Sequence, residues 1–159
     1  MGETRHSSGR ARGYFEIGIF HPKTGMNVGT LWRSAMQMGA AGVFTIGRRY
    51  ARQSSDTCGT ERHIPLRHSL DWDAFVAQRP IGAQLVGIEM GGRSLAGFTH
   101  PDRAIYLLGA EDHGLPDTVL ATCQSVVSIE SVRQASYNVA VAGSLVMYHR
   151  LLTRGVIEG

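Results

Sequence analysis

Five short apolar runs punctuate this chain, and none is long enough to stand alone as a helix. They are Tyr14–Phe20 (YFEIGIF), Gly42–Ile46 (GVFTI), Gln84–Ile88 (QLVGI), Ala104–Leu108 (AIYLL) and Ser125–Ile129 (SVVSI), each bounded by Gly, Pro or polar residues. Short runs of this kind predict strands buried on both faces. Amphipathic segments separate them. Val28, Leu31, Trp32, Ala35 and Met36 fall on one helical face, with Asn27 as the expected N-cap and Gly39 as the expected stop. A second helix is predicted from Asp71 to just before Pro80, a short third from Pro116, and a last one from about Ser136 to Leu152. That last helix carries Ala140, Ala142, Gly143 and Ser144, small side chains that permit close approach to a sheet or a partner helix.

Strands alternating with helices predict an α/β fold, a mostly parallel sheet flanked by helices. A polar arm over residues 1–12, expected to be flexible, precedes a single domain over 13–159. The chain has 43% hydrophobic residues, too many for a disordered polypeptide. Its 20 glycines among 159 residues predict tight turns and close backbone approaches. No run of about 18 apolar residues occurs, so no membrane span is expected. The polar N-terminus does not resemble a secretory signal, and Cys58 and Cys123 are far apart, so a cytoplasmic protein is expected.

In a parallel sheet ligands bind beyond the carboxyl ends of the strands, so the loops after the strands should hold the chemistry. Several chemistries have no motif here. There is no G-x-G-x-x-G after the first strand, no G-x-x-x-x-G-K-[ST] and no G-x-S-x-G. The seven histidines show no HExxH or other close ligand pair, so no metal is expected. The basic charge is almost all arginine, 15 of 16 residues, with Lys23 the single lysine. Between Gly47 and Arg67, five arginines face only Asp56 and Glu61. Guanidinium groups bind phosphate bidentately, so Arg48, Arg49 and Arg52 are candidate RNA-binding residues, although a solvated loop accounts for them equally well.

Three loops stand out. Asn27-Val28-Gly29-Thr30-Leu31-Trp32-Arg33 follows the first strand, Gly109-Ala110-Glu111-Asp112-His113-Gly114-Leu115 the fourth, and Ser136-Tyr137-Asn138-Val139-Ala140-Val141-Ala142 lies beyond the fifth. Taken singly they read as a cap, an acidic helix approach and a polar connection. Together, in this order, they resemble the three motifs of the SPOUT superfamily, in particular its SpoU branch of RNA ribose 2′-O-methyltransferases. The motifs are N-x-G-x-x-x-R, G-x-E-x-x-G-L, and Ser-Leu-Asn followed by small and apolar residues. Tyr137 replaces the usual leucine of the third. The likeness runs from about residue 14 to 152.

The resemblance implies a C-terminal trefoil knot, which no periodicity in the sequence displays. It implies S-adenosylmethionine as cofactor, bound by Ile88, Gly109, Ile129, Ser136 and Tyr137. Catalysis falls to Arg33, with Asn27, Glu111 and Asn138 fixing it and the ribose. It further implies RNA as partner, tRNA favoured over rRNA, and a homodimer with a shared site. Arg33 acts as base or as positioning group on this reading. Two other classes stay open: a non-catalytic RNA-binding module on the same fold, and a small-molecule α/β enzyme.

Overall fold

A computed structural model describes residues 12–47, 63–110, 112–133 and 135–157. Six strands form one parallel sheet: β1 (Tyr14–Phe20), β2 (Gly42–Ile46), β3 (Leu66–Ser69), β4 (Gln84–Ser94), β5 (Arg103–Leu108) and β6 (Ser125–Ser128), in the order β3-β2-β1-β5-β4-β6. Alternate strand residues feed two cores. On one face Phe15, Ile17, Val43, Val86, Tyr106 and Leu108 pack against α1 (Gly25–Gln37) and α4 (Val139–Thr153). On the other, Phe44, Ile46, Leu85, Ile105 and Leu107 meet Phe75 of α2 (Trp72–Gln78) and Val119 of α3 (Asp117–Leu120). The α/β prediction holds, with β1 and β2 at the expected bounds.

The local differences have physical causes. β3, reading Leu-Arg-His-Ser, has no apolar pattern and is not predicted by the sequence. It is an edge strand held by register with β2, by Thr45 Oγ1 to His68 Nδ1 (2.9 Å) and by Arg67 Nη1 to Glu16 Oε1 (3.3 Å). β4 runs six residues past Ile88, through a register shift between Ile88 and Arg93. The N-cap of α1 is Thr24, whose hydroxyl accepts from Asn27 N at 3.3 Å, and not Asn27. Likewise α4 starts at Val139 and not at Ser136, because Asn138 Oδ1 accepts from Ala140 N (2.9 Å) and Val141 N (3.2 Å). Asp71 caps α2 as predicted, accepting from Ala74 N at 2.8 Å.

The small residues of α4 face inward. A Cβ on Gly143 would lie 3.0 Å from Leu108 Cδ1 and 3.2 Å from Ile17 Cδ1, so this glycine lets α4 settle on the sheet. Ser144 Oγ meets Ser34 Oγ of α1 at 3.0 Å. The outward face instead carries Val141, Leu145, Tyr148 and Leu152, exposed between 37% and 50%. Their spacing of four, three and four residues places them on one stripe. The small residues thus serve the approach to the sheet, one of the two uses expected of them, while the outer face presents large apolar side chains.

Beneath α4 lies a buried polar chain. Arg150, fully buried, donates to Tyr106 Oη (3.0 Å) and to the carbonyls of Pro101 (2.6 Å), Arg12 (3.0 Å) and Asp102 (3.0 Å). Tyr106 Oη lies 2.6 Å from His100 Nδ1, and His100 Nε2 lies 2.8 Å from His149 Nδ1. A guanidinium only donates, so Tyr106 accepts from Arg150; the Ala96 carbonyl only accepts, so His149 Nε2 donates to it (3.4 Å), which leaves His149 Nδ1 to accept from His100 Nε2 and His100 Nδ1 to accept from Tyr106. His100 is then the Nε2–H tautomer, donating to His149. Burial, followed by the neighbouring His149, Arg150 and Arg154, pushes its pKa down to about 3. The Arg12 carbonyl ties the start of the described chain to α4; residues 1–11 of the expected arm lie outside the described residues.

Candidate active site

Parallel pairing brings the ends of β5 and β6 level with the middle of β4. Ile88 of β4 pairs with Leu108, the last residue of β5, and with Val127, one residue before the end of β6, while β4 itself runs on to Ser94. The loops after β5 and β6 enclose, with residues 88–91 of β4, a cleft of about 650 Å³, within the usual size of a ligand site. Its walls include Ile88, Gly109, Ile129, Ser136 and Tyr137, together with Glu89, Asp112, His113, Ser128, Glu130 and Val139. All five residues named from the sequence as cofactor contacts line it.

The loop after β5 is a folded-back turn. Gly114 N donates to Ala110 O at 3.0 Å, and Ala110 and Gly114 form an antiparallel bridge. A Cβ on Gly109 would lie 2.7 Å from both Gly114 Cα and Leu115 N. Glycine is needed at 109 so that the loop can approach itself, a tighter constraint than an approaching ligand. Gly114 has φ +62°, the left-handed region, and its missing side chain leaves room for the Glu89 carboxylate. Glu89 accepts from Leu115 N (2.7 Å) and Met90 N (3.2 Å), and so props the turn from β4. Sequence reasoning missed Glu89. An acid directly after an apolar run and just before Gly91-Gly92 was the available signal.

The loop after β6 is tied at both ends. Tyr137 Oη donates to Glu130 O at 2.6 Å. The Glu130 carboxylate accepts from Ser94 Oγ and from Ala96 N (3.0 Å), contacts that hold its pKa below the usual carboxylate range. Beside the cleft, Asn138 Nδ2 donates to Asn27 Oδ1 at 3.0 Å, joining the loops of the first and third motifs across 111 residues of sequence. Lys23, after β1, pairs with Asp112 of the β5 loop. Arg33 stands on the exposed side of α1 and is not part of the cleft wall. Glu111, Arg48, Arg49 and Arg52 lie outside the described residues, as does Cys58; Cys123 is a free thiol whose pKa burial raises. Among the described residues, no three His, Cys, Asp or Glu side chains are grouped to hold a metal ion, and no helix is long and apolar enough to cross a membrane.

The same architecture recurs in known proteins. The chain is similar to the AdoMet-bound rRNA methyltransferase from Sinorhizobium meliloti (TM-score 0.80, 23% identity), over 92% of this chain and 58% of that one. It is similar to the SpoU methyltransferase AviRb from Streptomyces viridochromogenes (TM-score 0.79, 24% identity), over 90% of this chain and 60% of that one. A third similar structure, described by the 2-OH methylation of C/U34 on tRNA, has TM-score 0.77 and 25% identity, over 87% of this chain and 95% of that one. This chain thus spans somewhat under two thirds of the first two proteins and nearly all of the third. No curated protein sequence matches significantly. The model of the SpoU rRNA methylase family matches residues 15–148, most of the chain, with the three motifs inside that span. With a parallel sheet, a cleft at its carboxyl edge and that match, the chain belongs to the SpoU rRNA methylase family.

Proposed function

We propose that the chain is a cytoplasmic, S-adenosylmethionine-dependent RNA methyltransferase acting on a ribose 2′-hydroxyl of tRNA. The observation that carries this reading is the convergence of Ile88, Gly109, Ile129, Ser136 and Tyr137 on one cleft beside the Asn27–Asn138 contact. The cleft fits the cofactor. Ile88 and Ile129 offer apolar walls for a purine, and residues 89–91 of β4 with the turns after β5 and β6 offer backbone groups for its polar edge. When bound, S-adenosylmethionine supplies an electrophilic methyl group whose sulfur leaves as a neutral thioether, so the chain need provide no acid.

The chain must instead hold the hydroxyl in line and stabilise negative charge on its oxygen as the proton leaves to solvent. Asn138 commits Oδ1 to the first turn of α4, so its NH2 is the end that meets Asn27. That fixes the orientation of both amides at the margin of the cleft. A guanidinium donates and does not accept, which makes Arg33 an orienting group for the developing alkoxide and a neighbouring phosphate rather than a base. Glu111 orients a guanidinium in the same arrangement.

Arg33 lies outside the cleft wall of its own chain, so the reading includes a homodimer. The Val141–Leu145–Tyr148–Leu152 stripe packs on a second copy and brings Arg33 to that copy's cleft. The knotted threading of the C-terminal segment belongs to the same proposal. Preference for tRNA is supported by the similar structure described by tRNA methylation, which aligns over 95% of its length. The rRNA alternative is favoured by the Sinorhizobium meliloti neighbour.

Nucleoside mass spectrometry of RNA from a deletion strain and its parent tests the assignment. The expected result is loss of one 2′-O-methylnucleoside from the tRNA fraction. Loss from rRNA replaces the substrate, and loss of a base methyl overturns the ribose assignment. In vitro, Arg33→Ala should retain calorimetric S-adenosylmethionine binding while transfer falls at least about 100-fold. Unchanged turnover would refute its role.

A further inference from the structure

The segment between Glu130 and Tyr137 forms one wall of the cleft, yet its described residues are packed by little else. Of its described residues, Val132, Arg133, Ala135 and Ser136 are exposed, and the Val132 side chain is wholly in solvent. A loop with so little burial belongs to the least stable part of a fold. Two ties remain. At one end the Glu130 carboxylate is held by Ser94 Oγ and Ala96 N of the β4 region. Across the segment, Tyr137 Oη donates to the main-chain oxygen of Glu130 at 2.6 Å. Leucine, the residue usual at this motif position, can make the apolar contact but not that bond.

We propose that Tyr137 is a positioning residue for the ligand loop: its hydroxyl closes the 130–137 segment, Glu130 anchors the closed segment to β4, and the cleft wall is built before a ligand arrives. The inference deepens the methyltransferase reading and rests on it for the identity of the ligand. A wall ordered in advance lowers the ordering cost of binding, so the effect falls on affinity. The hydroxyl is engaged within the loop, so its loss acts first on the wall that receives the ligand.

The test compares the wild-type chain with Tyr137→Phe, which keeps the ring, and Glu130→Ala, which releases the anchor. Hydrogen exchange at the amides of Ser131, Val132 and Arg133, measured without ligand, should speed up about five-fold in Tyr137→Phe, the factor for one ordinary net hydrogen bond. The calorimetric Kd for S-adenosylmethionine should rise by a similar factor, a larger change than that in kcat at saturating cofactor. Glu130→Ala should move Kd in the same direction. Equal exchange and equal Kd in wild type and Tyr137→Phe overturn the proposal. So does a Kd change in Glu130→Ala alone, which would make the carboxylate the sole tie. A fall in kcat with Kd unchanged also overturns it. If the wild type binds no S-adenosylmethionine, the methyltransferase reading fails, while the exchange arm still decides whether the hydroxyl closes the loop.

Discussion

Mild acid should destabilise this protein through one side chain, His100. It is 4% exposed, and in its neutral form it accepts from Tyr106 Oη and donates to His149. Protonation puts a second donor on Nδ1, facing a tyrosine hydroxyl already aligned by Arg150, with Arg154 also nearby. Burial and these neighbours lower the folded pKa from 6.5 to about 3. The unfolded chain therefore binds a proton that the folded chain resists, and stability is lost as pH falls below 6.5 toward 3. Between about pH 7.5 and about pH 5 the linkage relation gives roughly 2 kcal/mol, because the folded group stays neutral across that range. His149 at the half-buried end of the chain admits some solvent screening, which reduces the figure to about 1–2 kcal/mol. For a chain of this size that corresponds to a melting temperature lower by about 2–8 °C. The measurement is thermal unfolding across that range for the wild type and for His100→Gln, which keeps a polar group but cannot titrate there. The variant starts less stable, so the slopes are compared, and its curve should be flatter by that amount. Equal slopes would refute the assignment of the proton to His100.

Other expectations follow from the site. Asn138→Ala removes the α4 cap and should cost about 1 kcal/mol, read by denaturant unfolding; Asn138→Asp keeps the acceptor but loses the donor to Asn27, so it should retain stability while methyl transfer falls. Gly109→Ala sets a methyl group against the Gly114–Leu115 backbone and should weaken calorimetric cofactor binding at least about ten-fold, since relieving such overpacking typically costs about 1–3 kcal/mol. Replacing Arg48, Arg49 and Arg52 by Ala should flatten the salt dependence of RNA binding by roughly 0.9 in log–log slope for each phosphate no longer neutralised, and an unchanged slope would make that loop ordinary solvated surface.

What is legible in the sequence depends on burial. β1, β2 and β5 are buried on both faces, so their residues read as continuous apolar runs and their positions are plain. β3 is not legible, since Leu66–Ser69 owes its conformation to partners far away in sequence: β2, Thr45 and Glu16. The same limit applies to the helix caps. Thr24 and Asn27, like Ser136 and Asn138, are all acceptable capping residues by type. The choice between them is made in three dimensions, where Asn27 and Asn138 meet each other. Asn27 turns its amide to that contact and leaves the cap of α1 to Thr24. Asn138 does both, capping α4 through Oδ1 and reaching Asn27 through Nδ2, which moves the cap two residues past Ser136. A cap shared with a long-range contact leaves no local signal by which to place it.

The layout of the sheet separates two tasks. Strand order reverses between β1 and β5, the place where an open parallel sheet ordinarily opens its ligand crevice. Here the Lys23–Asp112 pair spans the loops on either side of that point, and the cleft lies over β5, β4 and β6 instead. Asn27 comes from the β1 side and meets Asn138 at the cleft margin. On the proposed reading, the donor occupies the β5-β4-β6 side and the acceptor ribose approaches from the β1 side, with the asparagine pair at the boundary. The two ligands then touch mostly different loops. Variants in the 130–137 segment should change cofactor affinity and leave RNA affinity alone, while variants of Asn27 and Arg33 should do the reverse. Titration of each ligand separately checks this. A Tyr137→Phe chain that loses RNA and cofactor affinity together would show that the two tasks are not divided along the sheet.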